Sequence, residues 1–120
     1  MQDDVVANEP VDFFKGLSDR LRLRIVGLLL RSGELCVCQI QGALGMTQYA
    51  VSRHLRTLRE TGWVRERRQG RWVHYAPAPA TTKFHQQLCA AVLELPLASL
   101  ELVVDLGHLD ALKSKPTCKE

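Results

Sequence analysis

TQYAVSRHLRTLRE, residues 47–60, is a segment with two unlike faces. Wound as a helix it places Val51, Leu55 and Leu58 at i, i+4 and i+7, an apolar stripe that must face a core. Thr47 supplies an N-cap oxygen. The opposite face carries Gln48, Tyr49, Ser52, Arg53 and Arg56. Those are the side chains a major-groove reader needs. Gln pairs bidentately with adenine and Arg with guanine, while Ser and Tyr reach phosphates or base edges.

Working outward toward the N-terminus, a short helix is predicted from Cys38 or Gln39 to Leu44, with Ile40, Ala43 and Leu44 inward and Gly45 ending it. Two helices joined by a tight Gly45-Met46 turn, the second polar and basic outside, match a helix-turn-helix. Further upstream, Ser18 is the expected cap of a helix whose Leu21, Ile25, Leu28 and Leu29 recur until Ser32-Gly33. Pro10 opens a first helix followed by the apolar Val11, Phe13, Phe14 and Leu17. Beyond Gly62 the period changes. WVRERRQGRWVHY holds two β-rich runs, Trp63 to Arg67 and Arg71 to Tyr75, around a Gln69-Gly70 turn signal. The hairpin tip is expected to carry Arg67, Arg68 and Arg71, as a wing lying along a phosphate backbone would.

The charge distribution agrees. Residues 46–75 hold seven Arg and two Glu, a local net of +5, so the rest of a chain whose total is +3 carries −2. A basic cluster on a near-neutral chain is the footprint of phosphate contact. At 120 residues there is room for one core and no large enzyme cleft besides. The acidic opening MQDDVVANEP has no secretory character and no run is long and apolar enough to span a membrane, so a cytoplasmic location is expected. In that reducing setting the four Cys are read as thiols for ligand binding, redox or packing.

Past Pro77 and Pro79, Thr81 or Thr82 caps a helix with Phe84, Leu88, Val92 and Leu95 on one stripe, interrupted at Pro96. Leu97 to Leu112 is rich in Leu and Val, with Leu102, Val103, Leu106, Leu109 and Leu112 available to one face. This excess of apolar surface predicts a two-fold homodimer, its C-terminal helix packing with the N-terminal one across the interface. The fold expected is mainly α with a two-stranded hairpin, a winged helix-turn-helix over residues 1–112. Within it the helix-turn-helix takes about 38–61, the wing 63–75 and the dimerisation elements 10–17 and 81–112, with 113–120 a disordered tail.

Four fragments in order, ELCVC (34–38), VSRHL (51–55), LRETG (58–62) and GRWVHY (70–75), resemble the ArsR/SmtB family of metal-responsive repressors, and the arsenic-sensing branch in particular. The likeness runs from Phe14 to Tyr75, with Arg20-Leu21 where the family often has Pro-Thr. It implies a homodimer that binds operator DNA without inducer and leaves it when trivalent arsenic or antimony is bound by the CVC thiolates, here Cys36 and Cys38. DNA binding itself would need no cofactor, and no membrane is implicated. On the resemblance, Thr47, Gln48, Tyr49, Ser52, Arg53, His54, Arg56, Arg67, Arg68 and Arg71 face the DNA, His54 and His74 being equally readable as packing residues.

Soft thiolates suit a soft, thiophilic centre, and a helix N-terminus, near which Cys38 falls, favours the thiolate form. Residues two apart in a regular helix point about 200° from each other, so gripping one ion with both sulfurs is expected to deform the start of the helix. A three-thiol site would need Cys89 or Cys118, because Gln41 stands where some members have a further Cys. Two thiols would suit a monomethylated trivalent arsenical, so inorganic and methylated inducers both stay open. A zinc or cadmium site would draw on Asp105 and His108, yet no second His and carboxylate pair follows them. The remaining alternatives are a thiol redox or reactive-sulfur sensor on the same fold and a small thiol oxidoreductase or metal chaperone. The latter needs neither basic helix nor wing, and no catalytic constellation accompanies the Cys.

Overall fold

The computed structural model describes residues 8–95 and 102–113. Six helices and three strands follow in the order α1 (Pro10–Leu17), α2 (Arg20–Ser32), β1 (Leu35–Cys36), α3 (Val37–Leu44), α4 (Gln48–Glu60), β2 (Val64–Gln69), β3 (Trp72–Pro77), α5 (Lys83–Leu93) and α6 (Leu102–Lys113). The core is built where the apolar periodicity placed it. Ile25 and Leu28 of α2, Ile40 and Ala43 of α3, and Val51, Leu55 and Leu58 of α4 are wholly buried.

Helix starts follow side-chain chemistry. Thr47 Oγ1 accepts from Ala50 N–H at 3.2 Å, so α4 begins where its cap stands. Thr82 does the same for α5, accepting from His85 N–H at 3.1 Å. For α2 the cap is Asp19, one residue beyond the expected Ser18. Its carboxylate takes both Leu21 and Arg22 N–H, which a hydroxyl at position 18 is not placed to do. The wing is launched by the end of α4. Gly62, at φ +92°, lets its own N–H reach Arg59 O and Trp63 N–H reach Leu58 O at 2.9 Å, a Schellman closure that turns the chain out of the helix. Trp63 is then buried, its Nε1–H donating to Phe13 O at 2.8 Å and its ring meeting Phe13 edge-on, which fixes α1 to the wing base.

The hairpin is one step longer than expected. β2 and β3 pair from Val64↔Pro77 to Gln69↔Trp72 around a two-residue Gly70-Arg71 turn, with Gly70 left-handed at φ +64°. Arg71 alone of the three wing arginines sits in that turn; Arg67 and Arg68 lie within β2. A third strand, β1, was not expected. It pairs Leu35↔Tyr75 and Cys36↔His74, giving a sheet of order β1-β3-β2.

The C-terminal helix has intrachain contacts that the sequence did not specify. Within its own chain, α6 folds back onto α3 and α2. Leu109 is buried, Leu112 fills the space over Gly42, and Asp105 forms a buried bidentate ion pair with Arg24 at 3.0 and 2.7 Å. The carboxylate on an apolar helix thus finds its partner 81 positions away, a pairing no local pattern encodes. The expected kink at Pro96, the stretch to residue 101 and the tail from 114 lie outside the described residues.

Candidate thiol site and nucleic-acid interface

Cys36 closes β1 and is the N-cap of α3, with extended backbone at φ −81°, ψ 163°. Gln39 Oε1 accepts from Cys36 N–H at 3.1 Å, and the sulfur of Cys36 faces the N–H of Gln39 in return. Negative charge on that sulfur would lie where the free N–H groups of the helix converge. Cys38 stands in the first turn of α3, and the two sulfurs are 3.2 Å apart. This corrects the helical-spacing expectation. The helix begins at Val37, one residue or two before the expected start, but Cys36 is its extended N-cap, so the two Cys are not an i, i+2 pair within a helix. The extended cap turns the two sulfurs toward each other, with Cys36 a free thiol and Cys38 engaged in a disulfide. The reason is non-local: Cys36 is held in a strand by pairing with His74.

The other ligand candidates are placed elsewhere. Cys89 is half-buried on α5 and packs against the core, and burial pushes its thiol pKa up, away from the thiolate form. Cys118 lies outside the described residues. Asp105 is committed to Arg24, and His108 Nδ1 lies 3.0 Å from Ala43 O. Among the described residues no group of three or more His, Cys, Asp or Glu is arranged to hold a metal ion.

On α4, Thr47, Gln48, Tyr49, Ser52, Arg53 and Arg56 are all exposed on one side, opposite the buried stripe. Tyr49 is 75% exposed, and the Arg53 guanidinium stacks over its ring at 5.8 Å, a paired aromatic and cation on the outer face. His54 does not join them. It is half-buried beside Asp19 and Arg22 of α2, and burial holds its pKa below the usual histidine value. In the wing, Arg68 and Arg71 are exposed, Arg68 lying 3.5 Å from Glu66. Glu66 also pairs with Arg59, tying β2 to the end of α4. Arg67 is engaged in two hydrogen bonds by Glu34, which holds the Glu34 carboxyl below and the Arg67 guanidinium above their ordinary pKa values. Sequence reading overlooked both Glu34 and β1. The one available signal was the apolar Leu35-Cys36-Val37 run beside a glutamate, too short to announce a strand by itself.

Two consequences can be measured on these faces. Arg53→Gln is expected to weaken operator binding and, if Arg53 reads guanine, to relax preference at one base pair by about 1–3 kcal/mol. Arg68→Gln is expected to lower affinity for every sequence alike and to flatten the salt dependence by about one ion. Competition assays with single-base operator variants at several salt concentrations separate the two.

His85, invisible as a core residue in the sequence, is 4% exposed between Phe13, at 4.4 Å, and Trp63, at 5.1 Å. Its Nε2 has no hydrogen-bond partner among the described residues, and burial alone depresses its pKa. The unfolded chain therefore takes up a proton near pH 6.5 that the folded chain refuses. Stability is expected to fall as pH drops through that value toward the lower folded pKa, with His54 adding in the same direction. Urea midpoints at pH 7.5 and 5.5 check it, and His85→Phe should shrink the difference.

The fold, the outward-facing α4 and the hairpin define a winged helix-turn-helix regulator of transcription. Residues 19–66 match the model of the bacterial regulatory proteins of the arsR family. The chain is 51% identical over 70 residues, covering 58% of itself and 60% of the other protein, to the arsenical resistance operon repressor of Escherichia coli. It is 41% identical over 85 residues, 71% of this chain and 74% of the relative, to the arsenic resistance transcriptional regulator ArsR2 of Pseudomonas putida. Among solved structures it resembles the AntR antimony-specific transcriptional repressor, with a TM-score of 0.54 and 31% identity over 88% of this chain and 80% of that one. The chain belongs to the ArsR family. No described helix is long and apolar enough to cross a membrane.

Proposed function

We propose that this chain is a homodimeric repressor that holds operator DNA when ligand-free and leaves it when Cys36 and Cys38, the latter first released from its disulfide by thiol reductants, bind a trivalent arsenical or antimonite. The observation that carries this reading is the 3.2 Å approach of the two sulfurs at the first turn of the helix supporting α4. With bonds of about 2.3 Å, as zinc makes to thiolates, sulfurs at that separation subtend about 90° at a shared centre, narrower than a tetrahedral ion prefers. A pyramidal centre with a lone pair suits it better. Each thiol would displace one hydroxide of arsenous acid as water, leaving a third position for hydroxide, a methyl group or another sulfur.

A ligand there welds the end of β1 to the first turn of α3. Since Cys36 is anchored to His74 in the wing and α3 supports α4, the two DNA-contacting elements are drawn into one constraint. No unwinding of α3 is required. Release follows if the ligand binds the DNA-free form more tightly, by about 1–3 kcal/mol for a 5- to 150-fold effect.

The dimer is best supported at α1 and α5 rather than at α6. Val11, Phe14 and Phe84 are exposed, and the Phe14 and Phe84 rings meet at 5.9 Å. Beside them an apolar cleft of about 230 Å³ is lined by Leu17, Leu23, Leu88, Ala91, Val92 and Leu95. Covering this face with a second copy also presents two α4 helices to half-sites about one DNA turn apart. The reading places the protein in the cytoplasm with operator DNA, and assigns it no catalysis.

Fluorescence anisotropy of a labelled operator duplex tests the whole reading. Arsenite, methylarsenite and antimonite should release the protein where zinc does not. Release by peroxide or polysulfide in place of the arsenicals would overturn the metalloid reading in favour of a redox sensor.

A further inference from the structure

Resting on the reading of α4 as the operator-facing helix, we infer that Tyr49 is a positioning residue for Arg53, holding its guanidinium ready to read a guanine. The two stand one turn apart on the exposed face of α4. Side chains on a helix lean toward its N-terminus, which brings Arg53 back over the Tyr49 ring. The guanidinium carbon lies 5.8 Å from the ring centroid. Tyr49 is 75% exposed, so the core does not account for an aromatic ring at this position.

The arginines of this chain are held in two ways. Arg24, Arg59, Arg67 and Arg68 face carboxylates. Arg53 has the Tyr49 ring in place of a carboxylate, and Gln48, Ser52 and Arg56, the other exposed side chains of its face, are not acidic. The difference decides what the guanidinium can still do. A carboxylate occupies its N–H groups, whereas an aromatic ring engages its flat face and leaves the in-plane fork open. That fork is what O6 and N7 of guanine accept from. Stacking on Tyr49 and reading a base are therefore compatible, and an arginine already restrained gives up less side-chain freedom on binding. The restraint serves the base contact, where the fork must be aimed, and not the phosphate contacts that carry no sequence information.

Competition anisotropy on the operator duplex and its single-base variants tests this with the parent, Tyr49→Phe, Tyr49→Leu, Arg53→Gln and Tyr49→Leu/Arg53→Gln. Leucine is a good helix former and the site is exposed, so α4 itself is undisturbed. Arg53→Gln identifies the base pair that Arg53 reads, as the one whose discrimination drops. Tyr49→Leu should cut discrimination at that same pair about two- to fivefold, the worth of an exposed cation–π contact, with the slope of affinity against salt unchanged. Tyr49→Phe keeps the ring face and should behave as the parent. In the Arg53→Gln background, Tyr49→Leu should cost nothing further. A loss from Tyr49→Leu that persists in the Arg53→Gln background, or a Tyr49→Phe protein as impaired as Tyr49→Leu, overturns the positioning role. An Arg53→Gln protein with unaltered affinity and base preference overturns the reading of α4 at Arg53 and the inference with it, whereas an impaired Arg53→Gln beside a parent-like Tyr49→Leu sinks the positioning role alone.

Discussion

Cys36→Ser and Cys38→Ser proteins are expected to bind the operator as the parent does and to stay bound at arsenite concentrations that empty it. The parent's release factor, about 5- to 150-fold for a coupling of this kind, should collapse to about one in either variant. A hydroxyl is a hard, weakly acidic ligand and does not replace thiolate on a soft centre. The structural cost is small. Serine is a better N-cap than cysteine, so Cys36→Ser preserves the start of α3. Neither sulfur lies on the exposed face of α4 or among the wing arginines, so affinity without inducer should hardly move. Loss of operator binding in Cys36→Ser would mean that the β1 to α3 junction serves the fold and not the signal. Release of the double Cys36→Ser/Cys38→Ser variant by arsenite would move the site elsewhere.

The second large effect concerns stability. Asp105→Ala leaves the Arg24 guanidinium, on a residue 9% exposed, without its buried carboxylate. Breaking a buried pair from one side costs about 3–5 kcal/mol, a large part of the 5–15 kcal/mol typical of a domain. The urea midpoint should fall accordingly, and α6, docked through Asp105, Leu109 and Leu112, should detach first. Replacing both partners with apolar residues, Arg24→Met with Asp105→Leu, should recover part of the loss, because it removes the charge that lost its buried carboxylate. An Asp105→Ala protein as stable as the parent would show that the Arg24–Asp105 pair makes no net contribution to stability.

What the sequence made legible divides by range. Val51, Leu55 and Leu58 at helical spacing behind a Thr47 cap announce α4 and its orientation, and all three are fully buried with the polar residues outward. Gly62 and Gly70 likewise mark turns whose chemistry is local. The features that local patterns do not show depend on partners far along the chain. Leu35-Cys36 is a strand only because Tyr75 and His74 pair with it, and that pairing brings Cys36 to Cys38. Asp105 resembled half of a metal site until Arg24 occupied it. Arg67 looked like a tip residue reaching for DNA, yet its place within β2 opposite His74 delivers it to Glu34. His54, next to the exposed Arg53 in sequence, is half-buried in space, and burial lowers its pKa. In the thiol site, then, residue types were readable and their geometry was not.

Arsenic K-edge X-ray absorption on the arsenite-loaded protein, compared with Cys36→Ser/Cys38→Ser, addresses the chemistry at the junction most directly. The account predicts a shell with at least two sulfur neighbours in the parent, replaced by oxygen in the double variant. A sulfur shell that is the same in both proteins would contradict it.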